Sequence, residues 1–385
     1  MTSADVVALI LLLAVAAYAC GGGADYGAGF WDLTAGNSDN GARPRALVDY
    51  AMAPVWEANN VWLIFVFILT WTGFPPVFEA VLSTAWIAIT LAALGLVLRG
   101  AGFALRKPTR QAVRRRRYAA VFGVSSILTP FFFAAALGGV ASGRIPVGNR
   151  AGDPVTSWLN PTSVLFGVLA VTASAFIAAV FLVSDARRFG APDLETYFRR
   201  RSVLAGASLL AVAAVGLVVL RFDARHVFDG LLSGSGLVFV VLTVLATVGA
   251  VWLVRRGNHV GTRLAAIAAV ASMVLAWGMA QRPYVLPTTL TVEAGAGDPD
   301  SLRWLLIVTI VAVLVVAPAL VLLYRLDLTD RLAADHDVDL TAAHAAPEAA
   351  LTSAAPEGPP TAPAPEAPLT SSAPEAPATS SVPEA

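Results

Sequence analysis

The feature that most constrains this chain is a series of long apolar segments that recurs from the N-terminus to about residue 324. A helix that crosses a bilayer needs roughly 20 predominantly apolar residues. Nine segments meet that length, at about 5–24, 53–73, 77–100, 118–140, 162–184, 202–221, 231–254, 263–282 and 303–324. We therefore expect an all-α polytopic membrane protein with nine transmembrane helices.

The composition agrees with this expectation. Apolar residues make up 57% of the chain and charged residues 14%, against about 25% charged residues in soluble domains. The formal net charge is zero, so we expect no nucleic-acid partner. The first apolar run lacks the basic residues that precede a cleaved signal peptide, and we interpret it as the first span.

The arginines divide unevenly between the two sets of loops. Most of them, including the cluster Arg114–Arg117, fall in loops on one side of the nine predicted spans. Since basic residues accumulate on the cytoplasmic side, we expect the N-terminus outside and the C-terminus inside. Residues 1–329 would form the membrane domain. Residues 330–385, rich in Ala, Pro, Glu, Ser and Thr, would form a disordered cytoplasmic tail.

The histidines lie outside the predicted spans. They are His226, His259, His336 and His344. A haem buried in the membrane needs His, Met, Cys or Tyr ligands, and no His, Cys, Asp and Glu residues have the spacing of a metal site. We therefore expect this chain to ligate no haem and no metal, and to carry no catalytic residue of its own.

Polar residues at the start of the second predicted span are the main candidates for function. Glu57 and Asn60 lie in the segment Trp56–Trp62, one helical turn apart and so on the same face. A carboxylate inside a membrane usually marks a pathway or a partner. Glu57 is either a protonatable member of a relay or a carboxylate favoured by the helix dipole. Asp25, which follows three glycines near the inner end of the first span, is a second candidate.

A second polar block closes the eighth predicted span. It contains Arg282, Tyr284 and two prolines, which predicts a rigid turn at the outer membrane interface. Tyr and Pro are ordinary at such interfaces, but the same residues could bind a lipid headgroup or a partner helix.

Five segments together resemble subunit II of the cytochrome bd quinol oxidases. Gly23–Gly29 is similar to the family's glycine-rich first-helix motif, and Ala53–Leu63 to its Gly-Pro-Val-Trp-Asp-Gly-Asn-Glu-Val-Trp-Leu motif. Phe74-Pro75, Leu98–Arg106 and Arg282–Thr291 resemble later family motifs in the same order. The matches extend over most of the predicted membrane domain.

This resemblance implies a fold of two four-helix bundles plus one peripheral helix, in the cell membrane of a bacterium. It implies a heterodimer with a haem-bearing subunit I, which holds haems b and d, oxidises quinol and reduces oxygen to water. A bound quinone and membrane lipid are further expected ligands.

The resemblance also implies roles for particular residues. The family's acidic residue on a cytoplasmic proton route corresponds to Glu57, with Asp25 and Asn60 as further candidates. The other matched positions are candidates for the motif and partner interface: Trp56, Asn59, Trp62, Arg99, Arg282 and Tyr284.

The chain departs from the family motif at four positions. Glu57 replaces Asp, Ala53 and Ala58 replace Gly, and Asn60 replaces Glu. Glu57 retains the acid but reaches one methylene further, while the two alanines indicate a repacked helix contact.

Two other functions remain open at this point. A secondary transporter would show inverted repeats and broken helices around a site at the midplane, and the Trp56–Trp62 segment has no counterpart in the second half of the chain. A purely structural partner of a haem subunit differs from the oxidase subunit only in whether Glu57 matters.

Overall fold

The computed structural model describes residues 2–36, 41–106, 112–149, 152–257 and 259–328. This part of the chain folds into helices and one short hairpin. The helices are α1 Ser3–Leu33, α2 Ala42–Gly73, α3 Pro75–Thr84, α4 Trp86–Arg106, α5 Ala112–Ala141, α6 Pro161–Arg188, α7 Pro192–Asp223, α8 Arg225–Leu231, α9 Gly234–Arg256, α10 His259–Gln281 and α11 Pro299–Leu328. Strands β1 (Tyr284–Leu286) and β2 (Leu290–Thr291) pair antiparallel between α10 and α11. The predicted tail, 330–385, lies outside the described residues.

Eight of the described helices are long and apolar enough to cross a membrane. The segments Asn59–Gly73 and Pro75–Thr84 are bent by 116° relative to each other. There is a ninth crossing among the described residues only if this pair forms one span. The expectation of an all-helical membrane protein is confirmed. The count of nine, the two four-helix bundles and the orientation of the termini stay predictions.

The prediction of one continuous helix over 77–100 is wrong. The helix is interrupted at Ala85, so that α3 and α4 are separate helices. The Ala85 N–H caps α3 by donating to the Val81 carbonyl at 2.8 Å, and the Ser157 hydroxyl donates to the Thr84 carbonyl at 3.4 Å. These bonds satisfy backbone groups at the break, as an apolar environment requires. Hydropathy could not locate the break because α3 and α4 are both predominantly apolar.

Helix α1 is the centre of the packing. It contacts α2, α5, α6, α10 and α11, and its second half is almost continuously buried from Gly22 to Gly29. Helix α11 lies at the periphery, where it packs against α2 and α1 and leaves apolar side chains such as Trp304 64% exposed. The first helix therefore positions any site built from several helices.

Ion pairs join helix ends on the side where α1 ends. Arg43 of α2 pairs with Asp193 of α7 at 2.8 Å. Arg187 of α6 and Arg199 of α7 both reach Glu195, at 2.8 and 2.5 Å. Both α2 and α7 begin in these charged turns, about ten residues before the predicted spans, because a hydropathy window excludes charged residues that still continue the helix.

Candidate functional site

A fully buried ion pair joins α1 to α4. The side chains of Asp25 and Arg99 are 2% and 1% exposed. The Arg99 Nη2 donates to Asp25 Oδ1 at 2.8 Å, and Nη1 lies 2.8 Å from Oδ2. Nη2 also donates to the Asp25 carbonyl at 3.1 Å, and Nε donates to the Ser126 hydroxyl of α5 at 2.9 Å. Both carboxylate oxygens therefore face the guanidinium, and three helices meet at this pair.

Aromatic rings enclose the guanidinium of Arg99. Its central carbon lies 5.1 Å from the ring centroid of Tyr26 and 4.7 Å from that of Phe122, within the range of cation–π attraction. The Tyr26 hydroxyl lies 2.8 Å from the hydroxyl of Tyr18, which precedes it by eight residues in α1, so the two form a hydrogen bond. The rings exclude water from the ion pair and extend its polar surroundings to Tyr18.

Glycines of α1 allow the neighbouring helices to approach the site. A Cβ added at Gly27 would lie 1.8 Å from the backbone oxygen of Ser174 in α6. A Cβ added at Gly22 would lie 3.0 Å from both Nδ2 and Oδ1 of Asn59 in α2. The glycine-rich segment thus places α6 and α2 directly against the turns that carry Asp25.

Asn59 is the most buried of the α2 motif residues whose side chains the structure describes. It is 3% exposed, and its Oδ1 is buried without a hydrogen-bond partner among the described residues. Asn60 is half-buried and has a polar partner. Trp62 is half-buried and packs on the core with its ring edge-on to Phe65, at 6.3 Å between centroids.

Glu57 and Trp56 lie in the same helix, but their side chains fall outside the part of the chain that the structure describes. The backbone alone places them two and three residues before Asn59. Since Asn59 contacts Gly21 and Gly22, the α2 turn that carries Glu57 adjoins the α1 turn before Asp25.

Arg99 is one of the candidates for the motif and partner interface. In the structure its side chain is 1% exposed and faces Asp25 of the same chain. The sequence had indicated Asp25 and Arg99 separately, 74 residues apart. Tyr18 and Ser126 were missed. The only available signal for them was a hydroxyl within an otherwise apolar span.

Arg282 and Tyr284 lie away from the Asp25–Arg99 pair, near the start of α1 and in strand β1. Arg282 Nη2 lies 3.0 Å from Oδ1 of Asp5 in the first turn of α1, which precedes Asp25 by 20 residues, or about 30 Å of helix. Tyr284, in β1, lies edge-on to His226 with 5.3 Å between ring centroids. The structure therefore separates these two candidates from the Asp25–Arg99 pair.

Comparison with known proteins identifies the group to which this arrangement belongs. Residues 3–327 match the profile of the family described as cytochrome bd terminal oxidase subunit II. The chain belongs to the cytochrome bd terminal oxidase subunit II family. The resemblance inferred from the five sequence motifs is thereby confirmed.

Two relatives of the subunit II family show how far the similarity extends. The Bacillus subtilis (strain 168) protein named "Putative cytochrome bd menaquinol oxidase subunit II" is 23% identical over 318 residues, which cover 80% of this chain and 90% of the relative. The structure of bd oxidase from Geobacillus thermodenitrificans includes a chain that matches with a TM-score of 0.72 at 25% identity. That match covers 86% of this chain and 100% of the other. Together with the apolar helices, these matches identify an integral membrane protein.

Two cavities adjoin the site in this subunit II chain. The central cavity, of about 430 Å³, lies among α1, α5, α6, α7, α9 and α10, with Tyr18, Tyr26 and Trp277 in its wall. The end cavity, of about 300 Å³, extends from Tyr18 to Asp5 and Arg282. Both are lined almost entirely by apolar side chains, so each suits the apolar part of a ligand.

Proposed function

We propose that this subunit II chain is the non-haem half of a quinol-oxidising, oxygen-reducing complex, and that its site supplies protons to the partner. The observation that carries the proposal is the buried Asp25–Arg99 pair beside the α2 turn that bears Glu57. Reduction of oxygen to water consumes protons, and a water-poor interior must deliver them through titratable side chains and ordered water.

The haems b and d and the quinol-oxidising site belong, in this proposal, to a haem-bearing subunit I. Within the described residues, no group of three or more His, Cys, Asp or Glu side chains could hold a metal ion. The family membership and the likeness to a bd oxidase chain support a heterodimer in which this chain contributes structure and protons.

Asp25 and Glu57 would have different roles. Each Asp25 oxygen lies 2.8 Å from a guanidinium nitrogen of Arg99, so a proton on Asp25 would remove the charge that pairs with the guanidinium. We infer that Asp25–Arg99 is a fixed pair that orients the neighbouring groups. Glu57 would be the residue that takes up and releases the proton, with Asn59 Oδ1 as an acceptor on the path.

The decisive experiment is purification of the tagged complex, with the reduced-minus-oxidised optical spectrum and quinol-oxidase turnover measured on the same sample. For Glu57→Gln we expect a loss of turnover of about 10²- to 10⁴-fold, the scale of one proton-transfer group, with an unchanged haem spectrum. Glu57→Asp, which restores the family's residue, should recover most of the activity.

Three outcomes would count against parts of this proposal. Full activity of Glu57→Gln would leave the chain as a purely structural partner. A loss of haem together with activity would mean that Glu57 acts on assembly. A colourless preparation without a partner would contradict the oxidase assignment itself and favour a transporter.

We also propose that the central cavity holds the bound quinone expected from the resemblance. Its apolar wall ends at the paired hydroxyls of Tyr18 and Tyr26, which could bond a ring carbonyl. Ala213→Phe would place a ring in the cavity from α7. Quinone extracted from the purified complex should then decrease without loss of haem, and unchanged quinone content would exclude this cavity.

A further inference from the structure

The end cavity combines apolar walls with a polar mouth. Its walls come from α1, α2, α3, α5 and α10, and Leu9, one of its lining residues, is 40% exposed. The cavity therefore reaches the surface of the helix bundle that faces lipid. Asp5, Gln281, Arg282 and Tyr284 line it at the end where α1 begins.

Two polar groups in this cavity lack partners among the described residues. Gln281 is 5% exposed, and its Oε1 is buried without a hydrogen bond, while its Nε2 donates to the Val285 carbonyl at 3.2 Å. The indole Nε1 of Trp277 is also buried without an acceptor. Both residues line the end cavity, and Trp277 lines the central cavity as well. Since buried polar groups are normally hydrogen-bonded, a ligand that offers both a donor and an acceptor would complement them.

The mouth presents charges of both signs. Arg282 is half-exposed and has one carboxylate partner in the described chain, Asp5 at 3.0 Å. A guanidinium has five N–H donors, so most of them are available to a further anion. Arginine binds phosphate through paired donors, and the adjacent carboxylate of Asp5 suits an ammonium group.

We propose that the end cavity binds one phospholipid with a zwitterionic, primary-amine headgroup. Its acyl chains lie along the apolar walls, its phosphate binds Arg282 and its ammonium group lies beside Asp5. The ester and phosphate oxygens accept from Trp277, and the ammonium group donates to Gln281. An uncharged quinone ring carries no anionic group for the remaining donors of Arg282 and no ammonium group for Asp5. This site is additional to the proposed proton route and does not depend on it.

The test compares lipid retained by the purified complex. The parent, Arg282→Gln and Arg303→Gln complexes are washed extensively in mild detergent, and bound lipid is identified by native mass spectrometry and by extraction. Arg303 is a matched control, since it is an exposed arginine at the same end of the molecule that does not line the cavity. We expect the parent and Arg303→Gln to retain phosphatidylethanolamine, and Arg282→Gln to lose it.

A second variant tests the cavity without changing charge. Ala8 lines the cavity and is half-buried, so Ala8→Phe should fill space and displace the same lipid. The haem spectrum of each sample verifies assembly, and if Ala8→Phe does not assemble, Arg282→Gln decides the question. Equal retention in Arg282→Gln and the parent would overturn the proposal. So would a parent complex that retains no phospholipid, one that retains phosphatidylglycerol instead, or displacement of quinone rather than lipid by Ala8→Phe.

Discussion

Two of the carboxylate–arginine pairs on helix α1, Asp25–Arg99 and Asp5–Arg282, differ in burial and in the number of their contacts. Asp25 and Arg99 are in contact at 2.8 Å with side chains 2% and 1% exposed. Asp5 and Arg282 are in contact at 3.0 Å with side chains 20% and 50% exposed. The two carboxylates are about 30 Å apart along one helix.

The difference shows that surroundings, not contact distance, decide what an ion pair does. Around Arg99, the Ser126 hydroxyl and the rings of Tyr26 and Phe122 replace water. Each charge there depends on the other, because an unpaired buried charge is costly. At the mouth of the end cavity, surrounding water and mobile ions can screen either charge. The buried pair therefore joins helices, while the exposed pair is available to a ligand.

The largest effect should come from breaking the buried pair. Arg99→Gln leaves the Asp25 carboxylate without its counter-charge, and we expect a loss of about 3–5 kcal/mol of stability, seen as a low yield of assembled complex. The double variant Asp25→Asn with Arg99→Gln removes both charges and should recover part of that loss. Fluorescence-detected size-exclusion chromatography of both variants measures this, and equal yields would contradict coupling between the two residues.

The close approach that buries this pair gives a second prediction. Gly27→Ala places a Cβ against the Ser174 backbone, and the required shift of α6 should cost about 1–3 kcal/mol. Gly249 in α9 has no atom within 4 Å of an added Cβ, so Gly249→Ala is the matched control and should be neutral or slightly stabilising. Thermal denaturation of the complexes compares them. Similar midpoints for both variants would contradict tight packing at Gly27.

The hydroxyl pair beside the buried site should have a smaller effect. Tyr18→Phe removes one partner of the 2.8 Å contact with Tyr26 and leaves a buried hydroxyl unpaired. We expect a loss of about 1 kcal/mol, measured as a modest decrease in the denaturation midpoint. Tyr284→Phe, which removes a half-buried hydroxyl outside the central site, should change the midpoint less.

The smallest effect should come from the exposed pair. Asp5→Asn removes one charge but keeps Arg282, which would anchor the lipid phosphate. Because water and salt already screen Asp5, we expect no resolvable change in the denaturation midpoint at either low or high ionic strength. A loss of assembled complex as large as that of Arg99→Gln would abolish the distinction between the two pairs.

The membrane character, most helix positions and the family were predictable from the sequence, because each depends on residues that are close together along the chain. Apolar runs of sufficient length report helices directly, and the motifs around Asp25 and Trp56–Trp62 identified the family. The break at Ala85 was not predictable, since it depends on hydrogen bonds such as that from Ser157 to the Thr84 carbonyl. The contact between Arg99 and Asp25 was not predictable either, because a motif shows that a residue matters without showing what it contacts.

By itself, the sequence determined that this chain must form helices in a membrane. In lipid every backbone N–H and C=O needs a partner within its own segment, and an apolar run of about 20 residues leaves the helix as the available solution. Only the tertiary structure decided that Asp25 faces Arg99 and that Asp5 faces Arg282. Periodicity and hydropathy describe one helix at a time, whereas these pairs depend on which helix faces meet, and the glycines of α1 set that through close packing.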